Sequence, residues 1–160
     1  MLLKTRPATE HDCRLLWKWA NDPDVRRWSF MSDSIEWDAH VAWFRRKLAD
    51  RNCRMYIIMD EADDPIGLVR LDVGDDDSGT VTVSIAPGRR GRGYGTAALR
   101  VASGRFFADT EARRIVAHIK TDNVPSIHAF ESAGFTHRGT TQVKGQDALC
   151  MTLSRSADLS

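Results

Sequence analysis

The sequence predicts a mixed α/β single domain over residues 1–160, with elements in the order β-α-α-β-β-β-α-β-α-β-β. Three observations predict it. Trp37, Val41, Phe44 and Leu48 recur at i, i+4, i+7 and i+11, the period of an amphipathic helix. Residues 80–86 alternate Val81, Val83 and Ile85 with Thr80, Thr82 and Ser84, as a strand with one polar face does. A glycine- and arginine-rich stretch over 87–95 then leads from that strand into another helical segment.

The elements follow in order. Residues 2–6 form a short strand that Pro7 ends. Thr9 caps a helix over 10–20, with Asp12 in the first turn, where the helix dipole favours a carboxylate. Leu15, Leu16 and Trp19 share one face of it, and Asn21-Asp22-Pro23 breaks it. The second helix runs over 34–48. Strands over 55–59, 66–73 and 80–86, joined by short Asp/Gly/Pro turns, make an antiparallel meander. A helix over 94–108 and a strand over 115–119 come next. Pro125 lies in the first turn of a further helix and Gly134 ends it. Strands over 136–143 and 148–153 pair around Lys144-Gly145-Gln146-Asp147.

Composition narrows the partners. With 23 Lys+Arg against 22 Asp+Glu, net charge +1, there is no global pull towards nucleic acid or an anionic membrane. The 42% apolar content excludes a disordered chain. Cys13, Cys53 and Cys150 are widely spaced with no C-x-x-C, so no metal site and no disulfide framework is expected. No apolar run approaches the roughly 18 residues that span a bilayer. A cytoplasmic protein with reduced thiols is the expectation.

The sharpest local feature is Pro87-Gly88-Arg89-Arg90-Gly91-Arg92-Gly93-Tyr94-Gly95. Glycines let the backbone take positive φ and approach a ligand closely. The first amides of the following helix lack intrahelical acceptors, and the dipole adds about half a positive charge there. Such a turn suits phosphate oxygens. No Gly-Lys-Ser/Thr follows, which excludes a P-loop, and Thr96 stands where a dinucleotide fingerprint needs its third glycine. An arginine-glycine RNA-binding segment needs repetition, and this stretch is single.

Arg90-Gly91-Arg92-Gly93-Tyr94-Gly95 resembles the Arg/Gln-x-x-Gly-x-Gly/Ala signature of the GCN5-related (GNAT) N-acetyltransferases. Downstream, Asn123-Val124-Pro125-Ser126, Phe130-Glu131 and Gly134-Phe135 resemble the family's Asn-x-x-Ser/Ala helix ending in Gly-Phe. The resemblance implies a GNAT-like mixed sheet and acetyl-CoA as co-substrate. It implies that the backbone of Arg90, Gly91, Arg92, Gly93, Tyr94, Gly95 and Thr96 holds the pyrophosphate. Ser84, Ile85 and Ala86 would pair with the pantetheine amides as an added strand, and Asn123, Ser126 and Phe130 would line the cofactor.

The chemistry implied is transfer of acetyl from the thioester to a primary amine by direct attack. An alkyl ammonium, with a pKa near about 10, must first lose a proton. Many family members carry a Tyr seven residues after the Asn to protonate the sulfur; here that residue is Phe130. The Glu that many carry early in the central strand is absent too, its place held by Thr80. His40, with Glu36 one turn earlier, is the candidate base, because an imidazole suits proton transfer near neutrality. His118 and His128 are expected to be structural.

The acceptor is less defined. The run Asn21-Asp22, Val25-Arg26, Ser29, Ile35 and His40-x-x-Trp43-Phe44 resembles a GNAT branch that acetylates nucleotide-linked amino sugars. It would place Arg26 or Arg27 on a nucleotide phosphate and Trp28 or Trp43 against a ring. A small-molecule amine is thus the expected partner, with a protein N-terminus or a polyamine as alternatives. A non-catalytic CoA-binding module is the reading from a different class, and a homodimer is the default assembly.

Overall fold

Proline in Asn21-Asp22-Pro23 both ends one helix and starts another. The computed structural model describes residues 1–156. Its chain opens with β1 (Lys4–Pro7), a 3-10 turn (Glu10–Asp12), α1 (Cys13–Ala20), α2 (Pro23–Trp28) and α3 (Trp37–Ala49). The helix α2 is absent from the predicted order. Pro23 stands in its first turn, where a missing N–H costs nothing, and the Asp22 carboxylate accepts from the Asp24 N–H at 3.1 Å. The 10–20 helix likewise divides, because the Asp12 carboxylate turns back to accept from the Thr9 N–H and from both terminal nitrogens of Arg6, each at 2.8 Å. That fork holds β1 against α1.

The meander follows as β2 (Cys53–Met59), β3 (Pro65–Val73) and β4 (Ser78–Ile85). Then come α4 (Tyr94–Asp109), β5 (Arg114–Lys120), α5 (Val124–Ser132) and the hairpin β6 (Thr136–Val143) and β7 (Gln146–Ser154). All strands join one seven-stranded sheet in the order β1-β2-β3-β4-β5-β7-β6. Among the described residues only β4 and β5 run parallel.

Two layers of helix cover the sheet. On one face α4 and α5 bring Leu99, Ala102, Phe106 and Phe130 against Ile58, Leu71, Ile115 and Met151. On the other, α1 and α3 bring Leu16, Trp19 and Phe44 against Met55, Ile57 and Ala86. Side chains of this size contribute roughly 1.5–3 kcal/mol each when fully buried. The approach of α4 is close: a Cβ on Gly79 would meet the Phe106 ring at 2.5 Å.

The site is set by one irregularity of pairing. β4 and β5 are bonded only over Ser78–Thr80 against Arg114–Val116, and past those residues they diverge. A gap therefore opens in mid-sheet, between the C-terminal halves of two parallel strands, with the head of α4 directly after it in sequence.

Candidate active site

Strand alternation decides what faces the gap. On β5, Ile115, Ala117 and Ile119 are buried towards α4 and α5. Val116, His118 and Lys120 consequently point to the α1–α3 face. On β4, Val81, Val83 and Ile85 pack on the α4 side, which leaves Thr80, Thr82 and Ser84 on the opposite face. Residues 27–30 close that side. Lys120 Nζ donates to the Arg27 carbonyl at 3.0 Å and Gln146 Nε2 to the Phe30 carbonyl at 2.8 Å.

The backbone at the end of β4 narrows the expected pairing edge. The Ala86 N–H donates to the Ile66 carbonyl at 2.8 Å, inside the meander. One residue earlier the backbone faces the other way, so Ile85 presents its N–H and C=O to the gap. Arg90 Nε already donates to that carbonyl at 3.0 Å. Of Ser84, Ile85 and Ala86, the structure leaves Ile85 as the residue whose backbone opens on the gap, because antiparallel pairing with β3 takes the alternate residues.

The glycine-rich turn has the geometry of an anion cradle. Gly88, Gly91 and Gly93 have φ of +87°, +75° and +82°, and no heavy atom lies within 4 Å of a Cβ built on any of them. The first intrahelical bond of α4 is Ala97 N–H to the Gly93 carbonyl at 3.2 Å, so the amides of Tyr94, Gly95 and Thr96 precede the helical ladder. Open space, positive φ and free amides together fit the diphosphate of coenzyme A.

The arginines divide their work differently from expectation. Arg89 donates to Asp60 at 2.8 Å and Arg90 to Asp22 at 2.8 Å and Asp24 at 3.3 Å. Both bind the turn to its own protein, and Arg92 stays exposed at the rim. Burial leaves Arg90 Nη2 without a hydrogen-bond partner, so its guanidinium keeps one donor in hand.

Several predicted residues have other duties. Asn123 caps α5, its side chain accepting from the Ser126 N–H at 3.3 Å. Ser126 lies half-buried in the first turn of that helix. Phe130 is 3% exposed and meets Phe135 edge-on at 4.9 Å, so its ring belongs to the core beneath α5.

His40 is not placed as a base. It is 3% exposed, its Nε2 lies 2.9 Å from the Cys13 carbonyl, and its ring is flanked by Trp37, Trp43 and Phe44. Burial holds its pKa below the ordinary imidazole value, against the opposing bond to Cys13. It locks α3 onto α1. Arg26 is similarly occupied, donating to the carbonyls of Ala20, Met31 and Asp33 and to Ser29 Oγ, which leaves its guanidinium unavailable to a phosphate. Trp43 packs α3 on the sheet with the Arg70 guanidinium 5.0 Å from its ring centre. Trp28, with Arg27 4.7 Å above its ring, sits in the segment that closes the gap. His118, expected to be structural, is the histidine that the structure brings to the gap. The signal was in the sequence: Ile115, Ala117 and Ile119 form one apolar row, and His118 must lie on the other.

A mixed sheet split between two parallel strands, with an anion cradle where the first of them enters a helix, defines an acyltransferase that takes its acyl group from coenzyme A. Residues 3–136 match the family model described as acetyltransferase (GNAT) domain, and the chain belongs to that family. It is an acetyl-CoA-dependent N-acetyltransferase of the GNAT type. The chain is 28% identical over 170 residues to aminoglycoside N(6')-acetyltransferase type 1 of Klebsiella pneumoniae, covering 95% of this chain and 83% of that protein. It is 22% identical over 139 residues to spermidine N(1)-acetyltransferase of Vibrio cholerae, covering 86% and 80%. Among solved structures, AAC(6')-Ib in complex with ribostamycin and coenzyme A superposes with a TM-score of 0.85 at 24% identity, over 97% of this chain and 94% of that one. The Vibrio cholerae spermidine N-acetyltransferase in complex with CoA and spermine gives 0.86 at 22%, over 99% and 98%.

Proposed function

We propose that the chain acetylates a primary amine on a small polar acceptor of the amino-sugar or polyamine kind, by direct attack of the amine on the acetyl-CoA thioester. The observation that supports it most is the gap between β4 and β5. The glycine cradle at the head of α4 receives the cofactor diphosphate, and Ile85, through its N–H and a carbonyl shared with Arg90 Nε, offers the pantetheine an edge to pair with. The α1–α3 face of the same gap, walled by Thr82, Ser84, His118 and Lys120, receives the acceptor. Asp33, in the loop after α2, is exposed beside the closing segment and suits a cationic molecule. The two curated relatives are named for acceptors of this kind.

A nucleotide-linked amino sugar has less support, because Arg26 is spent on four internal hydrogen bonds.

Calorimetric titration with acetyl-CoA, repeated on Gly93→Trp, tests the cradle. Binding by the wild type and its loss in the variant support the site. Thiol release with ribostamycin, spermidine and a nucleotide-linked amino sugar then separates the acceptors. Binding without thiol release across that panel would overturn the proposed acceptor class.

A further inference from the structure

We infer that His118 is the base that takes the proton from the acceptor ammonium. This rests on the acetyltransferase reading above and deepens it. His118 lies on β5 two residues past Val116, where the β4 pairing ends, so its side chain stands where the gap has opened. It faces the acceptor side by strand alternation. It is half-buried, and neither ring nitrogen has a protein hydrogen-bond partner among the described residues. That is the reverse of His40, whose Nε2 is spent on Cys13.

The charged and titratable groups around it leave little competition. From β4 the face carries Thr80, Thr82 and Ser84, none of which titrates near neutrality. Two residues along β5, Lys120 is bonded to the Arg27 carbonyl. On β7, Cys150 lies directly opposite His118 in the antiparallel register, on the same face and one strand further from the gap. On β3, Arg70 and Asp72 are paired with each other, and Asp72 also with Lys47. On the α1–α2 side Asp22 and Asp24 hold Arg90, Arg26 is internally bonded, and Arg27 is a cation. Within that wall His118 is the imidazole that stands past the end of the β4 pairing.

The protons balance as follows. An imidazole nitrogen of His118 takes one proton from R–NH3+, giving R–NH2 and an imidazolium. The amine nitrogen bonds to the thioester carbonyl carbon and the C–S bond breaks with its electron pair on sulfur. The nitrogen's second proton leaves as the amide forms and ends on the thiolate, giving the free thiol. The imidazolium returns its proton to water, to which a half-buried ring has access. No oxidant or further co-reactant is required.

The test uses the full chain and His118→Gln. NMR of the imidazole ring signals, with the His118 signal assigned by its loss in the variant, is followed as acetyl-CoA is added to the wild type. The signal shifts if His118 borders the gap, whatever the acceptor. Acetyl-CoA affinity by calorimetry stays within about twofold in His118→Gln, and kcat/KM with ribostamycin or spermidine falls by about 10²-fold or more, the usual contribution of a general base. The acid limb of the kcat/KM profile disappears in His118→Gln and persists in Cys150→Ser. A His118 signal unmoved by saturating acetyl-CoA, or an acid limb that survives His118→Gln, overturns the assignment. Failure of the wild type itself to bind acetyl-CoA would instead overturn the parent reading.

Discussion

Arg90 donates to Asp22 at 2.8 Å across 68 residues of sequence, and so ties the glycine-rich turn to the junction of α1 and α2. The same guanidinium holds the Ile85 carbonyl at the end of β4. One side chain therefore fixes the glycine-rich turn, the end of β4 and the α1–α2 junction relative to one another. Asp22 also caps α2, so its removal cuts two bonds at once. Asp22→Ala is expected to cost about 1–3 kcal/mol from the lost cap and the lost charge-assisted bond. It should also weaken acetyl-CoA several-fold, although Asp22 lies outside the cradle. Asp22→Asn keeps a capping oxygen and should recover most of the stability and less of the affinity. Urea unfolding and calorimetry measure the two separately. Unchanged affinity in Asp22→Ala would show that the clamp does not shape the cradle.

A second prediction concerns how α4 is seated. Any side chain on Gly79 would run into the Phe106 ring, with the first carbon at 2.5 Å from Cζ. Phe106 is fully buried and cannot swing away. Gly79→Val should therefore push α4 off β4 at a cost of about 1–3 kcal/mol. Because Gly79 sits inside the only β4–β5 pairing, the gap should widen and acetyl-CoA binding should weaken with it. A thermal melt indistinguishable from wild type would refute the close packing.

His40 gives a pH test with a definite sign. Burial holds its folded pKa below the ordinary value of 6.5. The unfolded chain then takes up a proton at this site that the folded chain resists, so His40 contributes stability above pH 6.5 that is lost as pH falls through the folded value. His40→Leu removes that dependence while retaining an apolar side chain in the α1–α3 interface. Unfolding free energies between about pH 7 and 5 should fall less steeply in the variant. Its kcat should stay within about fivefold of wild type once folded. An equally steep loss in the variant would show that His40 is not the group responsible, and a loss of kcat as large as that of His118→Gln would return it to the chemistry.

These contrasts show what the sequence disclosed and what it hid. The glycine spacing at Gly91 and Gly93 disclosed the tight turn before α4, because positive φ there leaves few residue choices. Period-2 alternation gave the faces of β4 and β5. Pairing length was invisible, since no local pattern says that β5 joins β4 over only Ser78–Thr80. The reading of the two histidines turns on that. His40 lies at a helical position whose burial depends on α1, which is distant in sequence. His118 lies in a strand whose polar face borders a gap only because β4 leaves β5 after Val116. Arg26 and Asp22 likewise looked like acceptor or turn residues until α2 appeared, and a six-residue helix leaves little periodic signal.

Phe130 is where the departure from the family pattern meets the fold. At the position where many relatives carry a tyrosine, this chain has a ring 3% exposed and edge-on to Phe135. A hydroxyl added to it in Phe130→Tyr would enter the apolar cluster of α4, α5 and the sheet, where burying it unpaired costs about 1–3 kcal/mol. The variant should melt earlier and gain no activity, because the ring is turned into the core and, in the mechanism proposed above, the proton for the departing thiolate comes from the attacking nitrogen. Thermal melts and kcat with a fixed acceptor check both halves. A rise in kcat of about tenfold with no loss of stability would show that the ring edge reaches the thioester sulfur, and that a phenol is the acid this site lacks.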